Sequence, residues 1–370
     1  NDRGGGMINN GTSPTVTNVT FRDNSAVVGG GMSNYNSSPI ITNSTFSGNS
    51  ATSVAGGMFN AASNPTVTNV TFSNNSAANF GGGMYNDGSS PMITNVTFSG
   101  NRVTDSVWGW GGGMYNDGSN SMITDVTFSG NSATNRGGGI YNNSSNPTVT
   151  NATFSSNSAV YGGGIYNFSG NLTVTNVTFS GNSASSGGGM YNYGSSTLTN
   201  VILWGDTGGE IYGGGTVRYS VVQGGYSGGT NIITTDPKLG TLGDYGGFTQ
   251  TIPLLFGSSA IDKGNNLYCA YAPVSNLDQR GIKRPQDGDK DGVTGCDIGA
   301  FERDRALVYY VKPNASGISC NSWQDACGLQ KALSDAPEGS EIWVMTGTYK
   351  PTSGPDRAAS FQLKNGVEVY

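Results

Sequence analysis

Residues 81–101 read GGGMYNDGSSPMITNVTFSGN, and this stretch decides the fold because the chain repeats it. Its opening block returns as GGGMIN at 4–9, GGGMSN at 29–34, AGGMFN at 55–60, GGGMYN at 111–116 and 187–192, and GGGIYN at 137–142 and 162–167. A fading copy, GGEIY, stands at 208–212. Met7, Met32, Met58, Met84, Met114, Ile140, Ile165 and Met190 are therefore 25, 26, 26, 30, 26, 25 and 25 residues apart. The second block, PTVTNVTFRDNSA at 14–26, keeps Phe21, Phe46, Phe72, Phe98, Phe128, Phe154 and Phe179 in register, and Leu203 closes that series. Each unit holds three short runs of period 2 (GMYN, TVTN, VTF) broken by Gly, Asn and Ser, with no helical periodicity. Three strands per unit of about 25 residues describe one coil of a parallel β-helix. The expected fold is all-β, a solenoid of about eight or nine coils, with a rod body roughly 40 Å long at about 4.8 Å per coil.

Stacking explains why side chains recur. Met or Ile of the first run, Val or Ile of the second (Val16, Ile41, Val67, Ile93, Ile123, Val149, Val174) and Phe of the third are expected to point inward as columns. Three Asn columns are expected at the corners, where an amide can bond its copy in the next coil and the turn backbone. One runs from Asn9 through Asn34, Asn60, Asn86, Asn116, Asn142 and Asn167 to Asn192; a second from Asn18 to Asn200, interrupted by Asp125; a third from Asn24 to Asn182. Tyr85, Tyr115, Tyr141, Tyr166 and Tyr191 follow inward residues, so they are expected to face out as a stripe that stacks with itself. Thr17, Thr42, Thr68, Thr94, Thr124, Thr150, Thr175 and Thr199 are expected to form an outward column. Its partner position is too mixed, with Ile40, Met92 and Met122 among threonines, for an ice-binding array.

Composition narrows the function. Of 370 residues, 60 are Gly, 42 are charged and none is His, which removes imidazole-based catalysis and zinc sites that use His. Residues 1–203 carry four Arg, six Asp, no Lys and no Glu, so the charges gather in the last part of the chain. A net charge of −6 argues against nucleic acid as a partner. No stretch approaches the roughly 18–20 apolar residues of a membrane span, and the first residues carry neither a charged n-region nor an apolar h-region. The four cysteines, Cys269 with Cys296 and Cys320 with Cys327, lack CxxC spacing and read as two local disulfides in an oxidising, extracytoplasmic setting.

The coil motif resembles the right-handed parallel β-helix repeats of large bacterial surface and secreted proteins, including polymorphic outer-membrane protein repeats. FTQTIPLLFGSSAIDKGNNLYC at 248–269, DQRGIKRP at 278–285 and CDIGAFE at 296–302 resemble the choice-of-anchor type C-terminal end of such proteins, with Ile252 where His is usual. Residues 305–370 resemble the N-terminal cap and first coil of the same family: a Trp-led helix expected over Trp323–Leu333, then strands over 341–349 and 360–370. The resemblance divides the chain into a β-helix body at 1–234, an end module at 235–304 and a cap-like α+β segment at 305–370. It implies a bacterial, extracellular or cell-surface location. The order body, end, cap leaves two readings: a piece of a longer protein of tandem β-helices, or a chain whose 305–370 docks on the Asn1 end of the next copy, a heterologous contact that propagates where its rotation does not close a ring.

Three groups of residues carry candidate chemistry. Asp287, Asp289 and Asp291, followed by Gly292, form a D-x-D-x-D-G run like the start of a Ca²⁺ loop; Ile298 stands where an EF-hand has Glu, and Asp297 is a further oxygen donor for a structural Ca²⁺. Asp87 and Asp117 occupy equivalent turns of adjacent coils, about 5 Å apart, near the separation of a retaining glycosidase pair. The insertion in the 30-residue repeat carries Asp105, Trp108 and Trp110, ring faces suited to surface glycans. No catalytic residue and no organic cofactor is expected. A polysaccharide lyase would need clustered acids with an Arg or Lys base, but the coils lack Lys, and Arg3, Arg22, Arg102 and Arg136 lie in turns without an acidic cluster. The expected function is a non-enzymatic extracellular rod for adhesion or head-to-tail filament or sheath assembly. The competing readings are a lyase- or glycosidase-type enzyme and a glycan-binding module.

Overall fold

The computed structural model describes residues 2–255, 257–289, 291–303, 308–318, 320, 323–336, 340–352, 354, 358–364 and 367–370. Asn1, at the expected docking end, lies outside the described residues. Nine coils stack in parallel, so each strand pairs with its own copy one repeat away. The first face is a nine-stranded sheet running from Met7–Asn10 through Met84–Asp87 and Met114–Asp117 to Ile211–Gly213. Its register sets Met on Met or Ile and Asn on Asn in each of the first eight coils.

The runs TVTN and VTF, expected as separate strands, are two arms of one bent face. From Thr66–Ser73 to Asn171–Ser180 they form single strands such as Met92–Ser99, Met122–Ser129 and Thr148–Ser155, and in the eighth coil they part again as Ser195–Thr199 and Ile202–Trp204. The bend sits at the second Asn column: Asn18, Asn43, Asn69, Asn95, Asp125, Asn151, Asn176 and Asn200 all have φ between 48° and 58°. Asn and Asp tolerate this left-handed conformation better than other residues with a Cβ, which explains why Asp can replace Asn there. The third face is instead built from the short strands Ser25–Val28, Ser50–Val54, Ser76–Ala77, Arg102–Val103 and Ser132–Ala133.

The interior is as the periodicity predicts. Consecutive rings from Phe21 to Phe179 stack with centroids 4.6–4.9 Å apart and planes within 13°. Met32 through Met190 and Ile41 through Val174 line the same core. The third Gly of each GGG makes room for this stack: a Cβ on Gly113 would lie 2.6 Å from the Gly139 carbonyl oxygen and 3.0 Å from the Phe128 ring. Asn9 to Asn142 form one amide ladder with 2.8–2.9 Å bonds. It breaks once, where the Asn142 Nδ2 and Asn167 Oδ1 have no partner, and resumes from Asn167 to Asn192 at 2.8 Å. In the Asn24 column each Oδ1 accepts both the backbone N–H and the Nδ2 of the coil before, as Asn101 does from Asn75 at 3.1 and 2.9 Å.

Two outward columns depart from expectation. Tyr115, Tyr141, Tyr166 and Tyr191 are buried, because Phe80, Trp110 and neighbouring rings cover them. They do stack on one another: centroids from Tyr35 through Phe59 to Tyr212 lie 4.4–5.3 Å apart. The Thr column is open in the first coils, but Thr150 and Thr199 are buried. Residues 249–302 cover this bent face, folding back alongside coils five to eight. Gln279 is the bridge: its Nε2 donates to Thr127 Oγ1 at 2.8 Å and its Oε1 accepts from Thr153 Oγ1 at 2.7 Å. Ala300 N donates to Thr178 Oγ1 at 3.1 Å, and Asn151 Nδ2 donates to the Leu277 carbonyl at 3.1 Å.

The module has little regular structure, with helix α1 at Asn266–Ala270 capped by Asn265. Ile202 and Val221 of the last coils join Leu254, Ile261, Ile298 and Phe301 in its core. Beyond it, Val308–Val311, Glu341–Val344 and Glu368–Val369 form a second parallel stack, packed with helix α2 at Leu329–Asp335. The helix starts later than the expected Trp323, and the strands are shorter than expected. Both disulfides, Cys269–Cys296 and Cys320–Cys327, are formed.

Candidate functional site

The D-x-D-x-D-G turn is divided by the fold. Asp287 and Asp289 converge with Asp262, one carboxylate oxygen from each lying within 4.8 Å of the others. Asp291 is exposed and accepts from Val293 N at 2.8 Å, outside this group. Asp297 is fully buried behind it: its Oδ1 accepts from Asp262 N at 2.8 Å and its Oδ2 from Arg303 N at 2.6 Å. It therefore positions Asp262 through the backbone and does not point its carboxylate into the corner. Asp262 was not legible as a partner, because it lies 25 residues before Asp287 with no motif linking them. Burial pushes the Asp262 carboxyl above the ordinary range, and Asp289 and Asp287 add to this; the Gly295 and Gly288 N–H groups oppose it. Asp262 Oδ2 and Asp287 Oδ1 are buried oxygens without a hydrogen-bond donor. Cys269–Cys296 ties down the adjoining loop. Beside the corner runs a groove of about 660 Å³ lined in part by Tyr219, Ile233, Asp262, Lys263 and Asn266.

The DQRGIKRP and CDIGAFE segments assemble a buried charge network. Arg284 and Glu302, both fully buried at their side chains, pair at 3.2 Å, and Arg280 pairs with Asp278 at 2.8 Å while lying over the Phe301 ring. The Arg284 Nη1 and Nη2 also donate to the carbonyls of Asp297 and Gly299 at 2.8 Å. Burial raises Glu302 to about 7 despite the opposing effect of Arg284, and burial with the nearby Glu302 charge raises Asp297. These acids and bases hold backbone in place and face the module interior.

On the first face, the turn insertion separates the two tryptophans. Trp110 stacks on Tyr141 at 5.1 Å, and Arg136 lies 5.3 Å over both Trp110 and Tyr166. Trp108 is 53% exposed and edge-on to Trp110, its backbone N–H held by Asp105 Oδ1 at 2.7 Å. Asp87 and Asp117 are register partners as expected. Asn143 Nδ2 donates to Asp117 Oδ1 at 2.9 Å, and burial, then Asp117, raises Asp87.

Comparison with known proteins adds one match. Residues 1–132 and 79–207 match the family model described as a right handed beta helix region. No curated protein and no solved structure matches the chain. Among the described residues, no helix is long and apolar enough to cross a membrane.

Proposed function

The chain belongs to the right handed β-helix family, and from that premise we propose that it is a non-enzymatic extracellular structural protein, a rod built for head-to-tail assembly or adhesion. The family holds both structural and polysaccharide-active members, so the reading rests on this chain's own residues. The observation that carries it is the second parallel stack, 308–311 on 341–344 on 368–369, which restarts coil-like pairing beyond the end module. The outer edge of a stack of parallel strands is a template for further strands. Two disulfides support an oxidising, extracellular setting. A bacterial cell surface remains the location implied by the sequence resemblance.

The non-enzymatic reading draws on the commitments of the acids: Asp117 is tied to Asn143, and Asp278, Asp297 and Glu302 are locked in the module core. Light scattering and electron micrographs of the full chain test the assembly. Rods longer than one chain are expected; a monomer with 308–370 packed on its own body overturns it. Cleavage of a polyuronate by the purified chain would overturn the non-enzymatic part.

The acidic corner belongs to the same proposal as a structural Ca²⁺ site. Three carboxylates with two orphaned oxygens match the oxygen donors that this cation takes. Ca²⁺ at a hundred times its Kd would stabilise the fold by about 2.7 kcal/mol. A melting temperature equal in Ca²⁺ and in chelator would remove the site. The exposed Trp108 favours a second reading, contact with surface glycans. Trp108→Ala should abolish any glycan-array signal, and a signal unchanged by it places the contact elsewhere.

A further inference from the structure

The Asn24 column does not end in Asn. In the eighth coil its position is held by Asp206, whose Oδ1 accepts from Asn182 N and Nδ2 at 2.6 and 2.9 Å, as the asparagines above it do. Glu210 folds beside it and accepts the Asp206 N–H on Oε1 at 3.2 Å. Both side chains are only 8% exposed, and Asp206 Oδ2 and Glu210 Oε2 each lack a conventional donor. Among the described residues, the surroundings offer no cation. The coil above contributes the Asn182 amide and the backbone of Gly188 and Gly189; the preceding strand contributes Leu203; Gly205 N donates to Gln223 Oε1 at 2.8 Å. Neither Lys nor Arg is among the groups acting on the two acids. Two adjacent buried carboxylates without a counter-charge cannot both ionise.

We infer that Asp206 and Glu210 share one proton, and that this proton is the latch holding the ninth coil onto the rod. With the proton present, one oxygen donates to the other and both orphaned atoms are satisfied. Burial first, then the charge of Glu210, keeps Asp206 protonated well above the ordinary carboxylate range; burial raises Glu210 as well, opposed by the hydrogen bond from the Asp206 side chain and by the Asp206 and Gly205 backbone N–H groups. Without it, two like charges face each other in a dry corner. The segment that must yield is the one the pair spans. Gly187, Gly188 and Met190 donate their N–H groups to the carbonyls of Gly208, Gly209 and Glu210 at 3.0, 2.6 and 2.9 Å. Opening there also unstacks Tyr212 from Tyr191 and bares the strand Met190–Asn192 as a parallel edge open to another chain.

The sign follows from the raised folded-state pKa. The stabilisation is complete at low pH, where both states hold the proton, and is lost as pH climbs through the raised titration of the pair. Hydrogen exchange of Gly187, Gly188 and Met190 tests this on the full chain, read as a ratio to Gly112 and Met114 so that intrinsic pH dependence cancels. In the wild type the ratio should rise about tenfold per pH unit between the ordinary carboxylate range and that raised titration and level off above it, as release of a single proton demands. Asp206→Asn should flatten it, since an amide donates to Glu210 without titrating and completes the Asn column. Glu210→Gln, which removes the like charge and keeps a single acceptor oxygen, should move the midpoint to lower pH. An equal slope in wild type and Asp206→Asn, or an unmoved midpoint in Glu210→Gln, overturns the latch.

Discussion

At the residue scale, each position in the rod is chosen by its own copy in the next coil. Gly113 stands where a Cβ would meet the Gly139 carbonyl at 2.6 Å and the Phe128 ring at 3.0 Å. Gly113→Ala should therefore lower the denaturant midpoint by the equivalent of about 1–3 kcal/mol, the usual cost of overpacking. Asn101→Ala should cost more. It removes the acceptor of two Asn75 donors and a donor to the Phe72 carbonyl, at about 1–3 kcal/mol for each buried group left without a partner. Asn146, exposed at a turn, serves as the control, because surface substitutions usually fall within about 0.5 kcal/mol. These roles were legible in the sequence, since stacking turns a spatial contact into a period. Asp206 was not, because the last rung of a ladder has no copy below it to reveal its role.

At the scale of elements, the bent face and the end module hold each other. Asp125, Thr127 and Thr153 lie beneath residues 249–279, and Gln279 reaches two coils at once. Gln279→Leu should leave the coils intact and release the module, seen as a separate, lower-temperature unfolding step and as faster proteolysis within 249–302. The same contact should respond to pH. Burial raises Asp125 to about 6, against the hydrogen bond from Asn151, and Glu302 to about 7. Both folded values exceed the unfolded ones, so their contribution is full below about 4 and is lost progressively as pH rises to about 6 to 7. The module step, monitored by calorimetry, should shift to lower temperature over that window, and Asp125→Asn should reduce the shift. Sequence reading recognised the module's motifs but not its seat. Gln279 and Thr127 are 152 residues apart and meet once, so no period announces the contact. The buried tyrosines were missed for a related reason: Phe80, Trp110 and Arg136 each cover them at one coil only.

At the scale of the whole molecule, the rod is a sum of neighbouring steps, and its coils should be removable. Deleting residues 33–58 joins Met32 directly to Phe59 in the same register. The product should fold, with a body about 4.8 Å shorter and an unchanged module step. Deleting residues 141–165 removes Asn151 and Thr153 from beneath the module and should abolish that step. Circular dichroism with calorimetry separates the two outcomes.

The single gap in the first amide ladder, between Asn142 and Asn167, has a mechanical meaning. Tension along the axis passes through the inter-coil bonds in series, so the sixth and seventh coils would part at this weakest joint. The end module is anchored on both sides of that joint, through Asn151 and Thr153 in the sixth coil and Thr178 in the seventh. It acts as a splint, carrying load across the break and sparing the rod from yielding at its own flaw.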